Sequence, residues 1–381
     1  MGLTIIRAML SVALAVSGLS SATSAHAQAA SGEPIKIGAI ISITGPAAGL
    51  GVPERNVLVM TEKVINATGG VKGRPIQVII RDDATNPDTA LSQANDLIFG
   101  QKVVAILGAT ITAPTVAIGG VTHKVKLPHL AFSGIGPVIE RERKCVLHMP
   151  VSQELHARAL LAYARSIGAK KLGVLHDAGV GNIVLAELRR LLDTYGAAIV
   201  AAEKFEFGAT DITTQAAKVK AAQPDAIIVV TASATPFRDV RRLQMTQPII
   251  AHMASSTYEY VNAMGKTADN IVFPEFLVAE DPLPHQRDFV ELSKKERGAL
   301  PKNVDAFVWD SLHVLRQALA KAGPGAEGEK ICEAIRQTPY AGVFANYNFA
   351  ADDMNGIQLS GFVYSKLVNG SYTRLPFRAA P

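Results

Sequence analysis

The sequence predicts an α/β fold of two doubly wound parallel-sheet lobes, on three observations. Short β-branched runs alternate with amphipathic stretches of helical period, the alternation restarts once midway, and 381 residues exceed what one hydrophobic core usually supports. Parallel strands need crossover helices, and crossovers of this kind cover a sheet on both faces.

KIGAIISI (36–43) reads as the first strand and is followed by a helix over 52–67. PIQVIIRDD (75–83) and a helix over 88–100 come next, then VVAILG (103–108), a helix over 114–125 and LPHLAF (127–132). After VLHMPVS (146–152) the rhythm restarts with helix 153–167, strand KLGVLHD (171–177), helix 182–194, strand AAIVAAEKF (197–205), helix 211–222 and strand DAIIVV (225–230). A helix over 236–245, strand PIIAH (248–252) and strand NIVFPEF (270–276) complete a second unit of the same plan. The tail departs from it, with helices at 285–298, 303–322 and 328–337, then VFANYNF and a hairpin, SGFVYSKLVNGSYTRL. Asn369-Gly370 suits a two-residue hairpin turn, which needs positive φ. Neither the late helices nor the hairpin has a core of its own, so they are expected to complete the two earlier lobes.

Residues 1–27 carry one basic residue (Arg7), an apolar stretch and the small-residue site Ala25-His26-Ala27, the layout of a secretory signal peptide; the mature chain is expected to start near Gln28. No later run approaches the roughly 18 consecutive apolar residues of a membrane helix. The expected location is the periplasm. The chain holds 38 Lys and Arg against 33 Asp and Glu, spread without a basic block, which argues against a nucleic-acid partner. Cys145 and Cys332 lack metal-ligand spacing, and a disulfide and two separate buried thiols both remain open.

The chain carries no motif for a reaction. TGPAAGLG (44–51) places Gly45, Gly49 and Gly51 off the GxGxxG spacing, Ser133-Gly134-Ile135-Gly136 is shorter still, and all read as tight turns needing positive φ. No GxxxxGK[ST] follows a strand, no G-x-S-x-G elbow exists, and the nine histidines include no HExxH. His123 and His129 straddle a helix-to-strand boundary and read as structural or surface residues, while Asp82 and Asp83 suit a loop and helix cap. No cofactor or metal is implied. The strand ends instead carry hydroxyl donors: Thr44, Thr110, Thr112, Ser133, Thr231, Ser233, Ser255 and Ser256. In open parallel sheets ligands sit beyond the carboxyl ends of strands, where helices begin with unpaired N–H groups that attract anions. A binding site for a carboxylate, without turnover, is the reading these residues favour.

The phrases IKIGAIISITGP (35–46), VINATGGVKGRPIQVIIRDDATNPDTALSQANDLI (64–98), VVAILGATIT (103–112), LPHLAFSGIGP (127–137) and KKLGVLHD (170–177) resemble, in order, the periplasmic leucine/isoleucine/valine-binding proteins, the type I solute receptors of ABC importers. The resemblance implies two lobes joined by three crossovers, near 149–152, 274–280 and 344–349. One lobe would be 34–149 plus 279–344 and the other 150–278 plus 345–381, closing on ligand by a hinge and presented to an inner-membrane ABC permease. It also implies that Thr112, backbone beside Thr110, and the stretch Ser133, Gly134 and Ile135 hold the ligand's α-carboxylate.

The departures from the family bear on the ligand. Leu50, Val180 and Ser233 fall at positions aromatic in amino-acid receptors, and the acidic position that pairs with an ammonium falls in Ala251-His252-Met253, without a carboxylate. A desolvated ammonium without a counter-charge is costly, so amino acids should be disfavoured. Leu50, Val180, Phe237, His252 and Met253 are the expected pocket lining, with His252 able to donate to a ligand carbonyl or hydroxyl. The function expected is a monomeric, non-enzymatic receptor for a small carboxylate, sharpest as an aryl or aryl 2-oxo acid of the benzoate-like kind. The alternatives are a branched-chain amino-acid receptor for transport and a sensory protein reporting to a membrane receptor.

Overall fold

The computed structural model describes residues 30–136, 141–350 and 355–379; the signal-peptide reading of residues 1–27 lies outside them. Five parallel strands form the first sheet, in the order β2-β1-β3-β4-β5: β1 (Ile35–Ile41), β2 (Ile76–Asp82), β3 (Ile106–Gly108), β4 (His129–Ala131) and β5 (Val146–His148). Helices α1 (Ala48–Ala67), α2 (Pro87–Asn95) and α3 (Thr112–Lys124) connect them, and a π-helical turn, Asp96–Gly100, extends α2. The alternation of short apolar runs and helical stretches therefore folds as parallel strands with crossovers.

The second sheet has seven strands in the order β14-β13-β10-β9-β8-β6-β7. Its parallel part comprises β6 (Lys171–Asp177), β7 (Ala198–Phe205), β8 (Ala226–Val230), β9 (Ile249–Ala251) and β10 (Ile271–Glu275). Between them run α4 (Gln153–Ser166), which enters the lobe, α5 (Val180–Tyr195), α6 (Thr213–Ala221), α7 (Thr235–Arg242) and α8 (Tyr258–Met264). Helix α8 is an element that periodicity did not reveal, because it is only seven residues long; Thr257 caps it, accepting from the Tyr260 N–H at 3.4 Å.

The tail is divided between the lobes. Helices α9 (Arg287–Arg297), α10 (Asn303–Ala322) and α11 (Gly328–Arg336) share one core with β1 and α1, where Phe307, Leu312, Leu315 and Ile331 join Ile37, Ile41, Val57 and Leu58. After a two-stranded ribbon, β11 (Tyr340–Ala341) and β12 (Asn346–Tyr347), the hairpin β13 (Val363–Val368) and β14 (Ser371–Leu375) adds antiparallel to β10. Asn369 and Gly370 have φ of 50° and 79°, as the two-residue turn requires.

The passage from β10 back to the first lobe is fixed by a buried polar cluster. Glu275 is fully buried, meets Lys302 Nζ at 2.6 Å, and accepts from Asn303 Nδ2 at 3.0 Å and Ser365 Oγ at 2.8 Å. Asn303 Oδ1 in turn accepts the N–H groups of Phe276 and Leu277, and Asn355 Nδ2 ties another passage to the carbonyls of His148 and Pro150. Lys302 also lies over the Tyr372 ring, 3.3 Å from its centroid.

Cys145, just before β5, is bonded to Cys332 in α11, with Cα atoms 5.5 Å apart, which settles the pairing left open above. The bond closes a segment of 187 residues, so its loss should be felt in the unfolded chain's freedom as well as in the fold. The double variant Cys145→Ser/Cys332→Ser is expected to lose about 2–5 kcal/mol in guanidinium titration. An unchanged midpoint and slope would show the bond to be dispensable.

Candidate ligand cleft

A cavity of about 320 Å³, mainly apolar, lies where the carboxyl ends of the two sheets face each other. On the first-lobe side α3 begins at Thr112; its N-cap, Ile111, supplies no side-chain cap, no acidic residue stands in the first turn, and Pro114 has no N–H. Thr112 Oγ1 and Ser133 Oγ stand 3.2 Å apart beside this helix start, and both line the cavity with Gly134. Two hydroxyls and unpaired N–H groups form a cradle for an anion.

The turn leading to the cradle is held from below. Thr110 Oγ1 accepts the Ser42 N–H at 2.8 Å and donates to Glu54 Oε2 at 2.5 Å, so its hydroxyl is engaged. Ser42 Oγ donates to Asp83, while Asp82 accepts from the Ile43 and Thr44 N–H groups and from Thr44 Oγ1. The aspartate pair thus orders the β1–α1 loop, as a loop and cap reading requires. His129 is buried and structural, its Nε2 hydrogen-bonded to the Gly108 carbonyl at 2.5 Å, and burial takes its pKa down to about 4. Burial carries Glu54 up to about 8, eased by Thr110 and reinforced by Asp83 and Asp305, so at neutral pH it is mostly protonated.

Leu50 also lines the cavity, from the first turn of α1. Of the three glycines around it, only Gly45 has positive φ; Gly49 and Gly51 are helical and serve close approach instead. A Cβ on Gly49 would stand 2.6 Å from the Tyr260 ring across the cleft, and one on Gly51 2.0 Å from the Ser42 carbonyl oxygen. Pro53 has no N–H to give the Gly49 carbonyl four residues back, and Thr257 Oγ1 from the second lobe donates to it at 3.1 Å.

On the second-lobe side Val180, His252 and Met253 line the cavity. His252 Nδ1 accepts the Ala254 N–H at 3.2 Å, and Nε2 faces Gln153 Oε1 at 3.2 Å. Its donor is therefore spent on Gln153 rather than offered directly to a ligand. The ring stacks on His156 at 3.9 Å, and burial holds its pKa down near 3.

Three expected site residues, Phe237 of the lining, Ile135 of the carboxylate-holding stretch and Ser233, lie elsewhere. Phe237 is fully buried in the second-lobe core on the inward face of α7, the side on which Val240 also packs. Ile135 packs against Ala131 and Val146 behind the cradle. Ser233 Oγ accepts the Thr235 N–H at 3.2 Å in the turn ahead of α7, and Ser233 does not line the cavity. Other strand-end hydroxyls are also consumed locally: Ser255 donates to the Thr231 carbonyl and Ser256 to that of Met253.

Phe132, Phe207, Phe307, Gln153, Lys302 and Asn303 line the cavity without having been singled out from the sequence. The segment 251–253 indeed holds no carboxylate, but Glu54, Asp177 and Glu206 reach the lining from other elements, so the cavity wall is not carboxylate-free. Asp177 Oδ1 accepts from the Gly179 and Gly181 N–H groups at 2.8 and 3.1 Å, and burial raises its pKa. Glu206 is exposed at the rim.

The periplasmic binding protein family model matches residues 34–366. A Leu/Ile/Val-binding protein homolog of Brucella melitensis is 25% identical over 289 residues, 71% of this chain and 72% of that protein. The leucine-binding protein LivK of Thermotoga maritima superposes with a TM-score of 0.81 at 23% identity, covering 90% of this chain and 97% of its own. An ABC-transporter solute-binding protein of R. palustris in complex with benzoate gives 0.82 at 17% identity, covering 92% and 97%. With nearly its whole length matched, this chain belongs to the periplasmic binding protein family, whose members are solute receptors and not enzymes.

Proposed function

We propose that the cleft captures a small carboxylate with an apolar body, an aryl acid or aryl 2-oxo acid, and that the chain, exported as a monomer, delivers it unchanged to an ABC permease. The observation that carries this reading is the uncapped start of α3 beside the Thr112 and Ser133 hydroxyls, facing a wall that includes Leu50, Phe132, Val180, Phe207, Met253 and Phe307. A carboxylate on the cradle leaves its apolar body against that wall. The volume is at the small end of ligand pockets, suited to a single ring or a short branched chain.

A branched-chain amino acid is the second reading, supported by Glu206 and Asp177 on the second-lobe side and by the names of the relatives. It is the weaker of the two. Asp177 has one oxygen committed to the start of α5, Glu54 is mostly protonated, and Glu206 lies where solvent screens an ion pair.

A thermal-shift panel of benzoate, aryl 2-oxo acids and branched-chain amino acids separates the readings. A ligand at 100 times its Kd adds about 2.7 kcal/mol of stability, and an aryl acid is expected to give the largest shift. Leucine exceeding every aryl acid would overturn the preferred reading. For the acid that binds, Thr112→Val is expected to raise Kd by roughly 10-fold or more, the loss of one hydrogen bond to a charged group, with the melting temperature of the free protein unchanged. Unaltered affinity would remove Thr112 from the cradle.

A further inference from the structure

Gln153 is the first residue of α4 and reaches the cleft beside the cradle, next to Gly134. Its amide orientation is fixed by its neighbour. Because His252 Nδ1 accepts the Ala254 N–H, the neutral ring carries its proton on Nε2, and Nε2–H donates to Gln153 Oε1. The His252 ring is itself pinned by the His156 stack and is kept neutral by burial. Gln153 Nε2 must then point the other way. It lies 3.2 Å from where a Gly134 Cβ would be, and it has no hydrogen-bond acceptor among the described residues.

We propose that Gln153 is a specificity-determining ligand contact, its amide N–H group donating to an oxygen of the ligand beside the cradle and disfavouring any ligand that presents a cation there. The inference rests on the carboxylate reading of the cleft and sharpens it. An N–H donor opposite Gly134 matches a second carboxylate oxygen or a 2-oxo group, both of which are acceptors. An ammonium in that place would meet a donor with a donor, and the amide cannot rotate to present its oxygen without breaking the bond to His252, whose only proton is already directed at it. Once a bound ligand covers the half-buried Gln153 amide, rejection through an unmatched polar group is a stronger discriminator than a difference in apolar contact. Gly134 contributes by having no side chain, since a Cβ there would crowd the amide nitrogen.

The test uses two probes that differ at one atom group: benzoylformate, with a 2-oxo group, and phenylglycine, with an ammonium in its place. Isothermal calorimetry on the full protein compares the wild type with Gln153→Glu and Gln153→Leu, and each variant's melting temperature reports folding. The wild type is expected to prefer benzoylformate, Gln153→Glu to shift the ratio of affinities toward phenylglycine by 10-fold or more, and Gln153→Leu to weaken benzoylformate without strengthening phenylglycine. A ratio that Gln153→Glu leaves unchanged in a folded protein overturns the inference. Should the wild type bind leucine and neither aryl probe, the aryl-acid reading fails on its own. Gln153 is then judged on leucine, whose affinity Gln153→Glu must raise; no rise overturns the inference independently.

Discussion

The first turn of α3 is a helix end without a cap, and the polar interior of the first lobe is arranged to keep it in place and open. Gly108 is held by His129, Thr110 is held between Ser42 and Glu54, and Ser42 is held by Asp83. Each of these buried groups is tied to the next, Glu54 and Asp83 through one carboxyl oxygen apiece, so the turn is held from several sides. At the cavity surface of this network lie the Thr112 and Ser133 hydroxyl pair and the start of α3. On the proposed reading, these donors are what holds the ligand's carboxylate.

Buried polar contacts also hold the joint between the lobes. Glu275 is buried with three side-chain partners, and stripping a partner from such a charge costs about 3–5 kcal/mol. Around the start of α1 the lobes meet through hydrogen bonds from Thr257 to Gly49 and from Tyr260 to Pro46, and through the packing of Leu50 and Gly49 against the second lobe. On the proposed reading, a ligand bridging cradle and wall adds contacts to both lobes, and it is such differential contact that would favour a closed arrangement.

Much of this was legible in the sequence, for reasons that can be traced. Parallel strands buried on both faces read as continuous apolar runs, so β1, β6 and β8 stand out, and Asn369-Gly370 marks its turn unaided. Thr112, Ser133, Leu50 and Val180 reach the cavity because a residue at a strand end or helix start has a position that topology alone determines. Glu54 and Phe307 lie within helices, where only the phase of the helix and the packing of distant segments decide which side faces the cleft. Phe237 shows the same limit in reverse, since its place on α7 turned it into the core. Gln153 had no sequence signal at all; its role depends on the tautomer of His252, 99 residues away.

The claim on which the account stands is that the cleft recognises a negative charge at the start of α3. Calorimetric affinities for the aryl acid that binds best and for its own carboxamide, equal in size and shape but neutral, test it most directly. The amide is expected to bind at least 100-fold more weakly, because the helix start and the hydroxyl pair favour an anion over a neutral group. An amide that binds as tightly as its acid would contradict it.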